Sequence, residues 1–255
     1  MGKLEYIAFE DEAGDIKDKV ESYWTKRADG FFSLRHDEIE SNKSERWLKE
    51  LKNLLPAGDN LKILDVGCGA GFFEILLGRV GHQITGIDLT KEMIEKAKEM
   101  IQIYGLDASM AGARVGDAEK LDFEDESFDV VISRNLTWTL PHPIDAYKEW
   151  HRVLKKGGVI INFDAEYAKG AHNLKSPENL AHKDISDSLK DECHDIYHML
   201  TISMLDRPDW DTEVLKKIGF EQVETDVDFG NRIFIERDEF YIPDKMFMIK
   251  AVKAL

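Results

Sequence analysis

From Leu61 onward the chain repeats one pattern: a short apolar run, a turn carrying glycine or aspartate, then a longer stretch with apolar positions three and four apart. The runs are "LKILDVG", "HQITGID", "ARVGDA", "FDVVIS" and "VIINFDA", and each is predicted to be a strand. Between them "FFEILLGRVG", "KEMIEKAKEMIQIYG" and "IDAYKEWHRVLKKGG" have helical periodicity. Nearly continuous apolar runs suit strands covered on both faces, and strands alternating with helices predict βαβ units around a mostly parallel sheet. The fold class is therefore α/β, a three-layer Rossmann-like sandwich.

The flanks read differently. Residues 1–60 carry two helical patterns, "IKDKVESYWTKRA" and "EIESNKSERWLKELKNLL", closed by "PAGDN", and form a helical N-terminal cap on a core at 61–166. Residues 167–208 combine the polar "AKGAHNLKSPENLAHKDISDS" with a helix "LKDECHDIYHML"; this is too long for an ordinary connection and is read as an insertion or lid. Residues 209–255 return to the core pattern with a helix "WDTEVLKKIGF", ended by Gly219, and the strands "EQVETDVDF" and "FMIKAVKAL". The whole of 1–255 is read as one domain.

Composition narrows the function. A 255-residue chain with 43% hydrophobic residues can bury one substantial core. Thirty-four Lys and Arg against 50 Asp and Glu leave a net charge of -16, which repels phosphate backbones, and no basic patch offsets it, so a nucleic-acid partner is not expected. Two cysteines, Cys68 and Cys193, supply no disulfide framework, which suits the cytoplasm. No signal peptide and no membrane-spanning run is read, and Tyr6 stands where a myristoylation signal needs Ser or Thr. The oligomeric state leaves no signature.

The first turn carries the chemistry. "LDVGCGAGFF" puts Gly67, Gly69 and Gly71 between a strand and a helix N-terminus, where glycine permits a tight turn and close backbone approach to a ligand. The spacing departs from GxGxxG, and Asp65 just before it favours a positively charged cofactor over a dinucleotide pyrophosphate. Asp88 ends the next strand, where it can accept ribose hydroxyls or cap the following helix. Asp117, with the backbone near Ala118, can receive an adenine or form an Asx turn. Leu89 and Met93 belong to the core or to the faces of that ring.

Taken together, "LDVGCGAG", "GIDLT", "GDAEKLDF", "FDVVISRN" and "LKKGGVIINFD" resemble the successive motifs of class I S-adenosylmethionine-dependent methyltransferases, from about Leu61 to Asp164. The resemblance implies seven strands in the order 3-2-1-4-5-7-6 with strand 7 antiparallel, S-adenosyl-L-methionine as cofactor, S-adenosyl-L-homocysteine as product, and a small-molecule acceptor. It implies that Asp65, Gly67, Gly69 and Gly71 hold the methionine portion, Asp88 the ribose, and Asp117 with Ala118 and Glu119 the adenine. Ser133 and Arg134 would border the sulfonium, and Tyr23 and Arg27 would close over the cofactor, meeting its carboxylate or the substrate, or simply pack as a helix.

Methyl transfer is an in-line displacement that asks mainly for positioning, desolvation and sometimes a base, with no metal demanded. Asn135, Trp138, Asp164 and Tyr167 are the candidates for the reacting cleft. His151 lies far into its helix and is read as a packing residue; His142 can reach the cleft. His194 and His198 share a helix face within an insertion that also holds His172, His182 and Cys193, but lack the rest of a metal motif. "SRNL" stands where an amide-methylating enzyme would carry an NPPY-like motif. A non-catalytic cofactor-binding protein and a nicotinamide-dependent oxidoreductase are the alternatives.

Overall fold

A computed structural model describes residues 13–167 and 169–255; Tyr6 and the N-terminal acylation reading lie outside them, as do the side chains of Ala13, Ala171 and His172. The apolar runs become β1 (Lys62–Val66), β2 (Gln83–Asp88), β3 (Ala111–Val115), β4 (Phe128–Arg134) and β5 (Leu154–Asp164), followed by β6 (Phe220–Asp226) and β7 (Phe247–Lys253). They form one sheet in the order β3-β2-β1-β4-β5-β7-β6. Strands β1 to β5 pair in parallel, and β7 runs antiparallel to both its neighbours, as expected. The chain leaves β1 toward β2 on one side and resumes at β4 on the other. That reversal opens a crevice beyond the carboxyl ends of β1 and β4.

The helices are α1 (Ala13–Glu40), α2 (Lys43–Leu54), α3 (Phe72–Arg79), α4 (Lys91–Ile103), α5 (Pro143–Val153), α6 (Asp187–Met199), α7 (Asp209–Ile218) and the single turn α8 (Gly230–Ile233). Trp47, Phe72, Phe73, Phe163 and Phe229 fill one face of the sheet, with Trp47 edge-on to Phe163 at 5.0 Å. Tyr147, Trp150, Val153 and Leu215 fill the other. A third apolar cluster joins Val20 and Tyr23 of α1 to Trp138, Tyr167, Cys193 and Tyr197, and it roofs the crevice.

Two boundaries differ from the periodicity. Helix α1 continues through Gly30 and stops only at Ser41, although glycine costs a helix interior about 1 kcal/mol. Beyond that glycine Phe32 and Ile39 pack into the core and Phe31 packs over Gly69, and these contacts offset the cost. Helix α5 ends at Val153, before the double glycine, because Leu154 pairs with Phe128 and begins β5. The C-terminus of α7 follows the sequence: Gly219, at φ 114°, donates its N–H to the Leu215 and Lys216 carbonyls. Among the described residues, no helix is long and apolar enough to cross a membrane.

Candidate functional site

The glycine turn is sewn to the end of β2. The N–H groups of Gly67 and Cys68 donate to the Ile87 carbonyl at 2.8 and 2.9 Å, and the Gly69 N–H donates to Asp88 Oδ2 at 3.0 Å. Asp88 Oδ1 accepts the Thr90 N–H at 2.9 Å in the turn that leads into α4, whose N-cap is Thr90, and the carboxylate borders the cleft. Gly67 and Gly69 have φ of 73° and 52°, and a Cβ on either would stand 2.8 Å from Leu136 or 2.9 Å from Phe31. Only glycine leaves the backbone of this turn open to close approach.

A cleft of about 1390 Å³, part of it open solvent, lies over the turn. One wall is a stripe along α1: Lys17, Val20, Trp24, Arg27, Phe31 and Leu34, three or four residues apart. From Lys17 to Arg35 the helix rises about 27 Å, which carries it along the cleft. At one end Lys17 Nζ bonds Asp117 Oδ2 at 2.7 Å and Glu119 Oε2 at 2.6 Å, and the His142 N–H donates to Glu119 Oε1 at 2.6 Å.

At the other end Glu38 is fully buried and accepts from Arg35, from Arg134 Nη2 at 3.0 Å and from Trp47 Nε1 at 3.0 Å. Burial opposes ionisation of Glu38, but the two guanidinium groups outweigh it and hold the carboxyl below its usual range. Arg134 lies 4.7 Å from the Trp47 ring and 4.6 Å from that of Phe72; burial, with Arg35 nearby, lowers its pKa to about 10.

Most of the residues singled out in the sequence meet at this cleft. Tyr23, Arg27, Gly67 and Gly69 border it, as do Asp88, Leu89 and Met93. So do Asp117, Ala118 and Arg134, together with Asn135, Trp138 and Tyr167. Asn135 takes φ 58° directly after β4, and its side-chain oxygen accepts the Tyr167 hydroxyl at 2.9 Å. Such a backbone conformation is uncommon for a residue other than glycine and gathers at functional sites.

Five residues do not border the cleft. Gly71 packs its backbone against Ala97, and Glu119 is occupied by Lys17 and His142. Ser133 is buried and donates to the Val66 carbonyl at 2.8 Å, tying β4 to β1. Asp65 is buried beneath the turn beside the fully buried Glu74; burial pushes the Asp65 carboxyl up to about 8 and raises Glu74 as well.

Asp164 departs furthest from expectation. It is the last residue of β5 and alternates onto the face of Ile160 and Asn162, away from the cleft. There it accepts from Trp138 N at 3.0 Å, Ala165 N at 2.9 Å, Arg207 Nη1 at 2.9 Å and the Thr137 hydroxyl. Arg207 in turn holds Thr137 Oγ1 at 2.6 Å and Asp211 at 2.9 Å, and Tyr147 donates to Asp211 at 2.6 Å. This network fixes the segment after β4 that carries Trp138.

His151 packs edge-on to Phe220 at 4.9 Å. His194 and His198 bring their Nε2 atoms to 3.2 Å on the exposed side of α6, and among the described residues no group of three or more His, Cys, Asp or Glu could hold a metal ion. Sequence reasoning missed Lys17, Arg35, Glu38 and Arg207. The α1 residues could have been found by extending the apolar stripe through Gly30; nothing local pointed to Arg207.

A family model described as a methyltransferase domain matches residues 64–162. Over 120 residues the chain is 38% identical to demethylmenaquinone methyltransferase of Staphylococcus aureus (strain MRSA252), covering 45% of this chain and 47% of that protein. Over 102 residues it is 36% identical to phosphatidylethanolamine N-methyltransferase of Cereibacter sphaeroides, covering 39% of this chain and 48% of that protein. The match thus spans about half the length of these curated relatives. Phosphoethanolamine N-methyltransferase 2 of Haemonchus contortus, solved in complex with S-adenosyl-L-methionine, has a TM-score of 0.60 at 19% identity, covering 87% of this chain and 60% of that one. A SAM-dependent methyltransferase from Aquifex aeolicus has a TM-score of 0.55 at 18% identity over 84% of this chain and 92% of that one. The two structures share the fold.

Proposed function

We propose that this chain is a class I S-adenosylmethionine-dependent methyltransferase that transfers a methyl group to a small-molecule acceptor bound between the glycine turn and α1. The observation that carries this reading is one cleft, at the reversal of strand order, bordered together by Gly67, Gly69, Asp88, Asp117, Arg134 and Trp138. The residues fit the cofactor: the glycine turn admits close approach, and Arg134 keeps Nε and Nη1 without a partner. When bound, S-adenosylmethionine supplies a methyl group already activated by its sulfonium.

The chain's own residues would do the rest. Asp88 would hold the ribose hydroxyls, Asp117 and the Ala118 backbone the adenine, and Leu89 and Met93 would flank it. Trp138 lies 5.5 Å from the Tyr167 ring and 4.8 Å from that of Tyr197, an aromatic wall that would exclude water from the reacting atoms. Burial raises the Tyr167 pKa, so its hydroxyl serves as a hydrogen-bond donor to Asn135 and stays protonated. With Asp164 turned away, orientation and desolvation are the contributions this cleft offers. Residues 167–208 act as a lid, since His182, Cys193 and Tyr197 line the cleft opposite the glycine turn.

Calorimetric titration with S-adenosylmethionine, with NADH as control, tests the reading. Saturable binding of the sulfonium compound and none of NADH is expected; the reverse would return the chain to the oxidoreductases. Asp88→Ala is expected to weaken that binding at least about tenfold, and an unchanged affinity removes the ribose assignment. Trp138→Ala is expected to lower acceptor turnover more than cofactor affinity. An equal loss of both makes Trp138 a support of the pocket.

A further inference from the structure

We infer, on the methyltransferase reading above, that the acceptor carries an anionic group, a carboxylate or a phosphate, on an apolar or aromatic body, and that Arg27, Arg35 and Arg134 receive that group. All three guanidinium groups border the cleft. Arg134, its side chain 7% exposed, gives only Nη2 to Glu38; its Nε and Nη1 have no partner. Arg27 is buried, hydrogen-bonds the Tyr23 hydroxyl at 3.2 Å and meets no carboxylate among the described residues. Trp138 Nε1, another buried donor bordering the cleft, also lacks a partner.

The charge count points the same way. Among the described residues Glu38 is the one carboxylate paired with Arg35 and Arg134, while Lys17 and His142 occupy Asp117 and Glu119 at the far end. Around these guanidinium groups three cations against one anion leave two positive charges, since Asp88 gives its carboxylate to the Gly69 and Thr90 N–H groups, and the cofactor's methionine portion, a zwitterion, leaves that count unchanged. The remaining charge, with the cofactor's own sulfonium beside it, calls for an anion from the acceptor, because an uncompensated buried cation is costly. This excess stands in a chain of net charge -16, so basic composition does not account for it. His182, which lies among Arg27, Arg35 and Lys190, is held neutral, with a pKa near 3 from burial and those cations, and does not offset the excess. Tyr23, Trp24, Phe31, Trp138, Tyr167 and Tyr197 line the same space and suit a planar or apolar body.

The full-length protein is titrated calorimetrically with S-adenosylhomocysteine. The saturated complex is then titrated with three probes sharing a phenol ring: 4-hydroxybenzoate, 4-hydroxyphenyl phosphate and 4-hydroxybenzamide. At least one anionic probe is expected to bind at least about tenfold more tightly than the neutral amide, and the better of the two identifies the anion. Arg35→Met is expected to reduce that preference to below about threefold while S-adenosylhomocysteine affinity changes by less than about threefold. The inference is overturned if the amide binds as well as the anions. It is equally overturned if the preference survives the substitution or falls only in step with S-adenosylhomocysteine affinity. If S-adenosylhomocysteine itself does not bind, the methyltransferase reading fails, and this inference with it.

Discussion

Arg207→Met is expected to destabilise the protein by about 3–5 kcal/mol, the usual cost of removing one partner from a buried ion pair. Arg207 is almost fully buried and bonds Asp164, Asp211 and Thr137, all of them buried to the last few per cent or less. Methionine fills much of the volume but leaves two carboxylates facing a dry interior, where only Tyr147, Thr137 and backbone N–H groups still donate to them. For a chain of this size the loss corresponds to a fall in Tm of about 6–20 °C. Urea denaturation at neutral pH measures it directly. Adding Asp211→Asn to the variant, which removes one of the two stranded charges, is expected to recover part of the loss. A loss below about 1 kcal/mol, or no recovery, would mean that the carboxylates are already protonated in the native protein and that the network is not ionic.

The second large effect is a pH dependence centred on Asp65 and Glu74. Both carboxyl groups are buried beneath the glycine turn, with Asp65 Oδ1 and both Glu74 oxygens lacking hydrogen-bond partners. Burial raises both pKa values, that of Asp65 to about 8, with Glu74 raised further by the Asp65 charge. The folded protein therefore keeps protons that the unfolded chain releases near pH 4. Stability from these groups is complete below about pH 4 and is lost as pH rises toward about 8, by up to about 1.4 kcal/mol per pH unit for each group. Glu74→Gln removes one titrating group. In the cofactor-free protein the variant is expected to gain on the wild type steadily between about pH 5 and 8, read as the difference in urea-denaturation free energy. A difference that stays constant across that range would show that Glu74 does not hold the proton.

The two effects also mark where sequence reading reached its limit. The glycine turn, Asp88 and Asp117 lie where the sequence placed them because each ends or closely follows a strand, and local backbone geometry carries it to the carboxyl end of the sheet. Asp65 occupies the expected position in the chain, yet its carboxyl faces Glu74 across the first turn of α3. The alternation of side chains along β5 sends Asp164 away from the cleft, and strand periodicity could have shown this only if the last strand residue had been known.

Apolar periodicity and turn chemistry determined the α/β class, while the resemblance of the successive motifs to a known family implied the seven-strand order, the antiparallel β7 and the carboxyl-end location of the candidate site. The class follows from short-range sterics and burial, which act on neighbours in the chain. Tertiary structure alone decided that α1 runs unbroken along the cleft, that Glu38 gathers Arg35 and Arg134, and that Arg207 reaches from the segment just before α7 to Asp164. Periodicity states which face of an element is buried and is silent on which charge it meets there; partners from distant segments are chosen only when packing brings their ends together.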